Sequence, residues 1–266
     1  VLSRSFLQIT TATGASGRAV YRERTVKRQS ADAALFRKEL ARFTASPNYM
    51  LNCGLGILLL PVAGILLLWK GGEVVPLLDA IFGARGGCAA VSYTHLRAHE
   101  TVLDMATPSV SLEGKSLWLA QSLPVAPWQA LRAKLKVQLA LTALPALVPL
   151  VCMAAVLPLT PSLALSAVTA LAYIAFSACL GLTLGVTRAS FTWTSELMPI
   201  KQSLAVMIAM FSGWLYAVAL AGLYLLAGWR LGAAAYLAIF AALTLAAAGL
   251  MYRWLKTRGA KRFAVL

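Results

Sequence analysis

The chain has 266 residues, 60% of them hydrophobic, and a mean hydropathy of +0.76. A soluble domain is about half apolar; here the excess gathers in runs long enough to cross a bilayer as helices, so the class is an all-α polytopic helical membrane protein. The net charge of +15 does not indicate nucleic-acid binding, because the basic residues flank apolar runs, as the positive-inside rule requires, instead of forming one basic face on a soluble fold.

Residues 1–48 read as an N-terminal cytoplasmic segment. Its first part is polar and basic, with Arg18, Arg22, Arg24, Lys27 and Arg28. Ser30 is placed to cap a helix, and Asp32 suits the positive end of one. Phe36, Leu40 and Phe43 then recur at i, i+4 and i+7, with Arg37, Lys38 and Arg42 off that stripe. The pattern predicts an amphipathic helix in the membrane interface, its apolar face in lipid and its cations toward phosphate. Pro47 ends it.

The transmembrane domain is expected over residues 49–254, with a basic cytoplasmic tail at 255–266. The first span covers about 50–69, bracketed by Tyr49 and Trp69. Pro61 is expected to kink it, and Lys70 and Glu73 to lie in a short loop. A second span is expected near 75–92, interrupted by Asp79 and Arg85. The polar string at 91–104 holds both histidines, His95 and His99, at i and i+4. A zincin places a glutamate between such histidines; this string does not, no third ligand is in view, and no metal site is expected. The string resembles translated sequencing adapter, and no function is assigned to it.

Loop charges support the second span. The N-terminal segment, the 105–136 interval, the 188–203 loop and the tail hold nine, four, two and five basic residues, against Lys70 and Arg230 in the remaining loops. Six crossings put all the rich segments, and both termini, on the cytoplasmic side. The last four spans are expected at about 137–157, 163–186, 204–227 and 232–254. Short turns pair them as two antiparallel hairpins. Gly181 and Gly185 form a GxxxG in the fourth span, and Gly213 and Ala217 continue a small-residue stripe in the fifth. Such stripes let helices approach closely, either within the chain or across a dimer.

Cys53, Cys88, Cys152 and Cys179 stand singly, so neither a disulfide framework nor a zinc site is expected. The spans are nearly free of ionisable groups. No nucleophile with a partner base, no coupling carboxylate and no GxxxxGK[ST] loop is present. No catalytic residue, cofactor or metal is therefore expected in this chain, and uphill transport would need energy from elsewhere.

The central interval, 109–136, is too amphipathic for a simple connector. Leu119 and Leu123 form an i, i+4 pair closed by Pro124, and Pro127 suits the first position of a second helix. On that helix Trp128, Leu131 and Leu135 form a stripe beside Arg132 and Lys136. Two short helices at a proline could lie on the membrane or be gripped by another protein.

Glu113, Gly114, Lys115, Leu117, Leu119, Ser122, Pro124, Val125 and Lys134 resemble the cytoplasmic loop of exporter-class (type 2) ABC transporter permeases. Two further segments are similar to a bacterial subgroup of these: LFRKELARFTASPNYMLN, and FTWTSELMPIKQS with Trp193, Glu196 and Lys201. The family's known members are longer, so the chain reads as the C-terminal half of such a permease. The resemblance implies a coupling segment that fits an ABC ATPase subunit. On this chain it comprises Glu113, Gly114, Lys115, Leu119, Leu123, Pro124, Trp128, Leu131 and Lys134. It implies a second cytoplasmic contact at Trp193, Glu196 and Lys201; Pro145 and Pro149 in the third span are the candidate hinges. The expected partners are the ATPase, the lipid bilayer and a second permease half or copy, in a bacterial inner membrane. A secondary transporter fragment and a non-transport scaffold are the other readings. The Leu/Ala-rich spans suit an amphipathic cargo better than an ion.

Overall fold

The computed structural model describes residues 29–82, 105–226 and 228–266. Their helices are α1 (Ala31–Ala45), α2 (Pro47–Phe82), α3 (Pro108–Ser111), α4 (Leu117–Ser122), α5 (Pro127–Val156), α6 (Pro161–Thr187), α7 (Leu204–Leu226), α8 (Ala233–Trp254) and α9 (Ala260–Phe263). Among the described residues there is no strand, and five helices, α2 and α5–α8, are long and apolar enough to cross a membrane. The protein is an all-α, multi-pass membrane protein.

The expected loop at Lys70 and Glu73 is absent. α2 runs through it, and Lys70 Nζ sits 2.9 Å from a Glu73 carboxylate oxygen one turn on. Gly71 and Gly72 cost a helix only about 1 kcal/mol each, too little to break an apolar run. Gly71 also admits α5, since a Cβ there would lie 2.6 Å from Val156 Cγ1. Gly64 does the same, 2.7 Å from the Pro149 Cα. These matched contacts make α2 and α5 parallel neighbours. The Tyr49 hydroxyl donates to the Met105 carbonyl at 2.5 Å. Met105 therefore lies beside the start of α2, about 50 Å along the axis from Phe82 at 1.5 Å per residue. The expected second span falls mostly within 83–104, outside the described residues.

α6 is the central helix, with 56% of its apolar window buried against 28–33% for the others. Its hydroxyls return to their own backbone: Ser166 Oγ donates to the Leu163 carbonyl at 2.7 Å and Thr169 Oγ1 to Leu165 at 2.8 Å. A polar side chain so engaged can sit in an apolar interior. α6 begins at Pro161, and the Thr160 hydroxyl caps it by accepting the Leu163 N–H at 3.3 Å. α7 and α8 are antiparallel, tied by the Tyr236 hydroxyl to the Leu220 carbonyl at 2.7 Å and by Tyr216 to Thr244 at 2.9 Å. Around them Tyr173, Tyr216, Tyr224, Tyr236 and Phe240 form an aromatic cluster. Tyr173 and Tyr216 stack with centroids 4.3 Å apart.

Two expected boundaries move. α5 does not begin near residue 137: the short helix opened by Pro127 and the third span are one 30-residue helix. The tail is not a free anchor. The helical path continues from α8 through Leu255–Gly259 into α9. Phe263 is only 1% exposed, in a core with Leu131, Leu182 and Leu255. Its apolar side chain, and those of Leu255 and Ala260, alternate with the cations that the sequence pattern made conspicuous.

Candidate functional site

Four cation-bearing segments meet at one end of the bundle: α1, residues 105–126, the 188–203 loop and the C-terminal helix. Two of them, α1 and residues 105–126, are joined at Lys134, two turns into α5, with its side chain 1% exposed. Its ammonium donates to Glu39 Oε2 at 2.8 Å, Glu113 Oε1 at 2.7 Å and the Ser109 carbonyl at 3.1 Å. All three of its protons have acceptors, which a buried ammonium requires. Arg42 donates to Glu113 Oε2 at 2.6 Å and to Glu39 Oε2 at 3.4 Å, and Lys38 lies 3.4 Å from Glu113. Two enclosed carboxylates thus bind α1, the α3 turn and α5 together.

Burial alone would raise the pKa of the Glu113 carboxyl. The charge of Lys134 and the hydrogen bond from Arg42 overcome it and hold the carboxyl well below its ordinary 4.5. A carboxylate depressed on folding adds stability that is present above its unfolded pKa and lost as pH falls through the folded one. Wild type should therefore exceed Glu113→Gln in detergent melting temperature by a constant margin above about pH 4.5, and the margin should shrink on further acidification. A margin independent of pH down to acid unfolding would count against an ionised Glu113.

The cluster changes the reading of α1. Its buried residues are Leu35, Glu39 and Phe43, at i, i+4 and i+8. Of the expected stripe only Phe43 is buried; Phe36 and Leu40 are half-buried. Lys38 and Arg42 reach a carboxylate inside the protein. Asp32 accepts from Arg132, which fastens the start of α1 to α5. Glu39 escapes sequence reasoning because an acid on a packing face looks like surface. Its spacing from Leu35 and Phe43 was the available signal.

The expected coupling residues divide into two groups. Glu113, Leu131 and Lys134 are buried at 3%, 0% and 3% exposure, and cannot touch a partner in this arrangement. Trp128 is half-buried, edge-on to Tyr252 with centroids 5.2 Å apart. Leu119 and Leu123 are exposed at 51% and 38%, beside Trp118 at 67% and the exposed Pro124. α4 therefore presents an apolar edge outward. It is held from behind by Leu117 in the core and by Gln121 Nε2 donating to the Phe263 carbonyl at 3.0 Å. Gly114 has φ +52°, and a Cβ would lie 2.9 Å from the Trp193 ring, so both backbone and space require glycine. The side chain of Lys115 lies outside the described residues.

The 188–203 loop folds onto the same turn. Trp193 Nε1 donates to the Ser111 carbonyl at 2.8 Å, and the Ser190 N–H to Ser111 Oγ at 3.1 Å. Glu196 accepts the Ser46 hydroxyl at 2.5 Å and forms no ion pair with Lys201, which is exposed. Trp193 and Glu196 are thus engaged internally.

The nearest neighbours of Gly181 and Gly185 lie in the turn before α3. A Cβ at Gly181 would lie 2.7 Å from Thr107 Oγ1, and one at Gly185 2.6 Å from the Thr107 carbonyl. The GxxxG groove holds the turn that leads into α3. Gly213 and Ala217 are buried on α7 in line with Leu220. Among the described residues no group of histidine, cysteine or acidic side chains could hold a metal. No family model, curated protein or solved structure matches the chain.

Proposed function

We propose that the chain is a membrane-spanning permease subunit of an ATP-binding-cassette exporter, driven by ATP hydrolysed on a separate ATPase subunit. The observation that carries the reading is the outward apolar edge of α4, Trp118, Leu119 and Leu123, on a helix braced at both ends. An exposed aromatic and aliphatic cluster of this kind suits insertion into a groove of another protein. Its bracing also suits a lever. A push on α4 reaches the Glu113–Lys134 cluster through the Gly114 turn, and Lys134 belongs to α5, a span. The resemblance of residues 113–134 to permease coupling loops supplies the partner class. In this reading the gathered, cation-rich end faces the cytoplasm, and the second half of the pathway comes from another permease half or copy.

The test is co-purification with an ABC ATPase, sought first in the reading frames adjacent to this one. Leu119→Asp should weaken the association by at least about tenfold, the scale of one lost hot-spot contact. Because Leu119 is half-exposed, the melting temperature should stay near wild type. Unchanged association in both Leu119→Asp and Trp118→Ala would reject the site. Uptake driven by an ion gradient without any ATPase would reject the class in favour of a secondary transporter.

A further inference from the structure

The 188–203 loop lines an open cavity of about 430 Å³ that the proposed coupling site does not use. It opens where α6 ends at Thr187 and α7 begins at Leu204, two spans whose apolar runs place this point at the membrane–water boundary. Its polar lining includes Arg188, Ser190, Thr192 and Gln202, against an apolar side of Trp193 and Met198. The side chains of those four polar residues make no hydrogen bond or ion pair within the described part of the protein. Trp193 is fixed in place by the Ser111 carbonyl, so this wall is preformed.

Among the described residues, cations outnumber acids around the cavity. Arg188 is exposed in its lining, and exposed Lys201 stands on the turn that closes it. Arg262 donates to the Thr187 carbonyl at 2.9 Å, which brings the cationic C-terminal helix alongside. Of the described carboxylates at this end, Glu39 and Glu113 are ion-paired with Lys134 and Asp32 with Arg132, while Glu196, on the same loop, accepts the neutral Ser46 hydroxyl. A guanidinium, two hydroxyls and an amide beside an indole make a donor set for a phosphate ester with an apolar neighbour.

The geometry points to a binding site for the phosphate of an anionic phospholipid headgroup between α6 and α7. The guanidinium of Arg188 takes the phosphate, Ser190, Thr192 and Gln202 hold its oxygens and the headgroup hydroxyls, and the acyl chains run along the exposed faces of the spans. Phosphatidylcholine fits poorly, because its choline cation would enter a cationic rim. Basic pockets between spans recognise anionic headgroups on these grounds. The inference needs only a multi-pass protein, and does not depend on the ATPase.

The full chain, purified in mild detergent, is titrated with short-chain phosphatidylglycerol, short-chain phosphatidylcholine and inorganic phosphate, and bound ligand is counted by native mass spectrometry. Phosphatidylglycerol should bind at least about tenfold more tightly than phosphatidylcholine, and Arg188→Gln should weaken it about fivefold, the effect of one basic residue at an anionic surface. Lys256→Gln, at an exposed position of the C-terminal helical segment, should leave it unchanged. Equal weakening by both substitutions would mean diffuse attraction to the basic tail, and would overturn the site. Equal affinity for the two lipids would do the same. Inorganic phosphate that binds as tightly as phosphatidylglycerol, and displaces it, would assign the site to a soluble phosphate and overturn the lipid.

Discussion

Lys134→Met should destabilise the folded protein by about 3–5 kcal/mol, the cost of removing one member of a buried ionic group. The substitution keeps the volume but leaves Glu39 and Glu113 enclosed, with only Arg42 and Lys38 to balance them. The loss should appear as a much lower melting temperature in detergent. Early proteolysis of α1 should accompany it, since Glu39 is a buried contact of that helix with α5. The double variant Lys134→Met with Glu113→Leu should recover part of the loss, because an apolar pair can replace a buried ion pair at little cost. If Lys134→Met melts like wild type, the cluster does not join these segments. A double variant worse than the single would show that Glu113 is stabilised mainly by Arg42.

The second large effect is expected at Gly185. A Cβ there would lie 2.6 Å from the Thr107 carbonyl, a backbone atom that cannot turn aside. Gly185→Val should therefore cost at least about 1–3 kcal/mol, the range for overpacking a filled core. Gly181→Ala meets only the Thr107 hydroxyl at 2.7 Å, a buried group with no hydrogen-bond partner among the described residues. Thr107→Ala should rescue Gly181→Ala and leave Gly185→Val unrescued. Light scattering in detergent separates this from a dimer seam: internal filling predicts lower stability at an unchanged mass. A variant with native stability and a changed oligomeric mass would move the glycines to an interface between copies.

The physical difference between these two sites explains what was legible in the sequence. The apolar spans could be read because each is fixed by local composition: a run of that length must be helical to satisfy its backbone in a membrane. The start at Pro127 was also a local signal, a proline at a first helical position. The loop at Lys70 failed for the opposite reason. Two charges three apart on one helix face pair and remain helical, and their sequence neighbourhood resembles a turn.

The site is legible only in part. Glu113 and Lys134 stood out through their resemblance to coupling loops, which marked them as contact residues. Burial makes them structural instead, and leaves the outward surface to Trp118, Leu119 and Leu123. The decisive partner, Glu39, is separated from Lys134 by 95 residues. No periodicity within one helix reports a contact across such a distance. The same holds for Thr107 against Gly185 and for Gln121 against Phe263.

The sequence by itself determined the class of this protein, the approximate placement of five of its six expected apolar spans and the segments in which its cations concentrate. These are consequences of composition within windows of a few turns, and the bilayer acts on each window separately. Tertiary structure alone decided which charged residues are buried together, what fills the glycine groove, and that the basic C-terminal segment is folded into the core. Those outcomes depend on pairs far apart in the chain, and the energy of a buried pair exists only once both partners have left water.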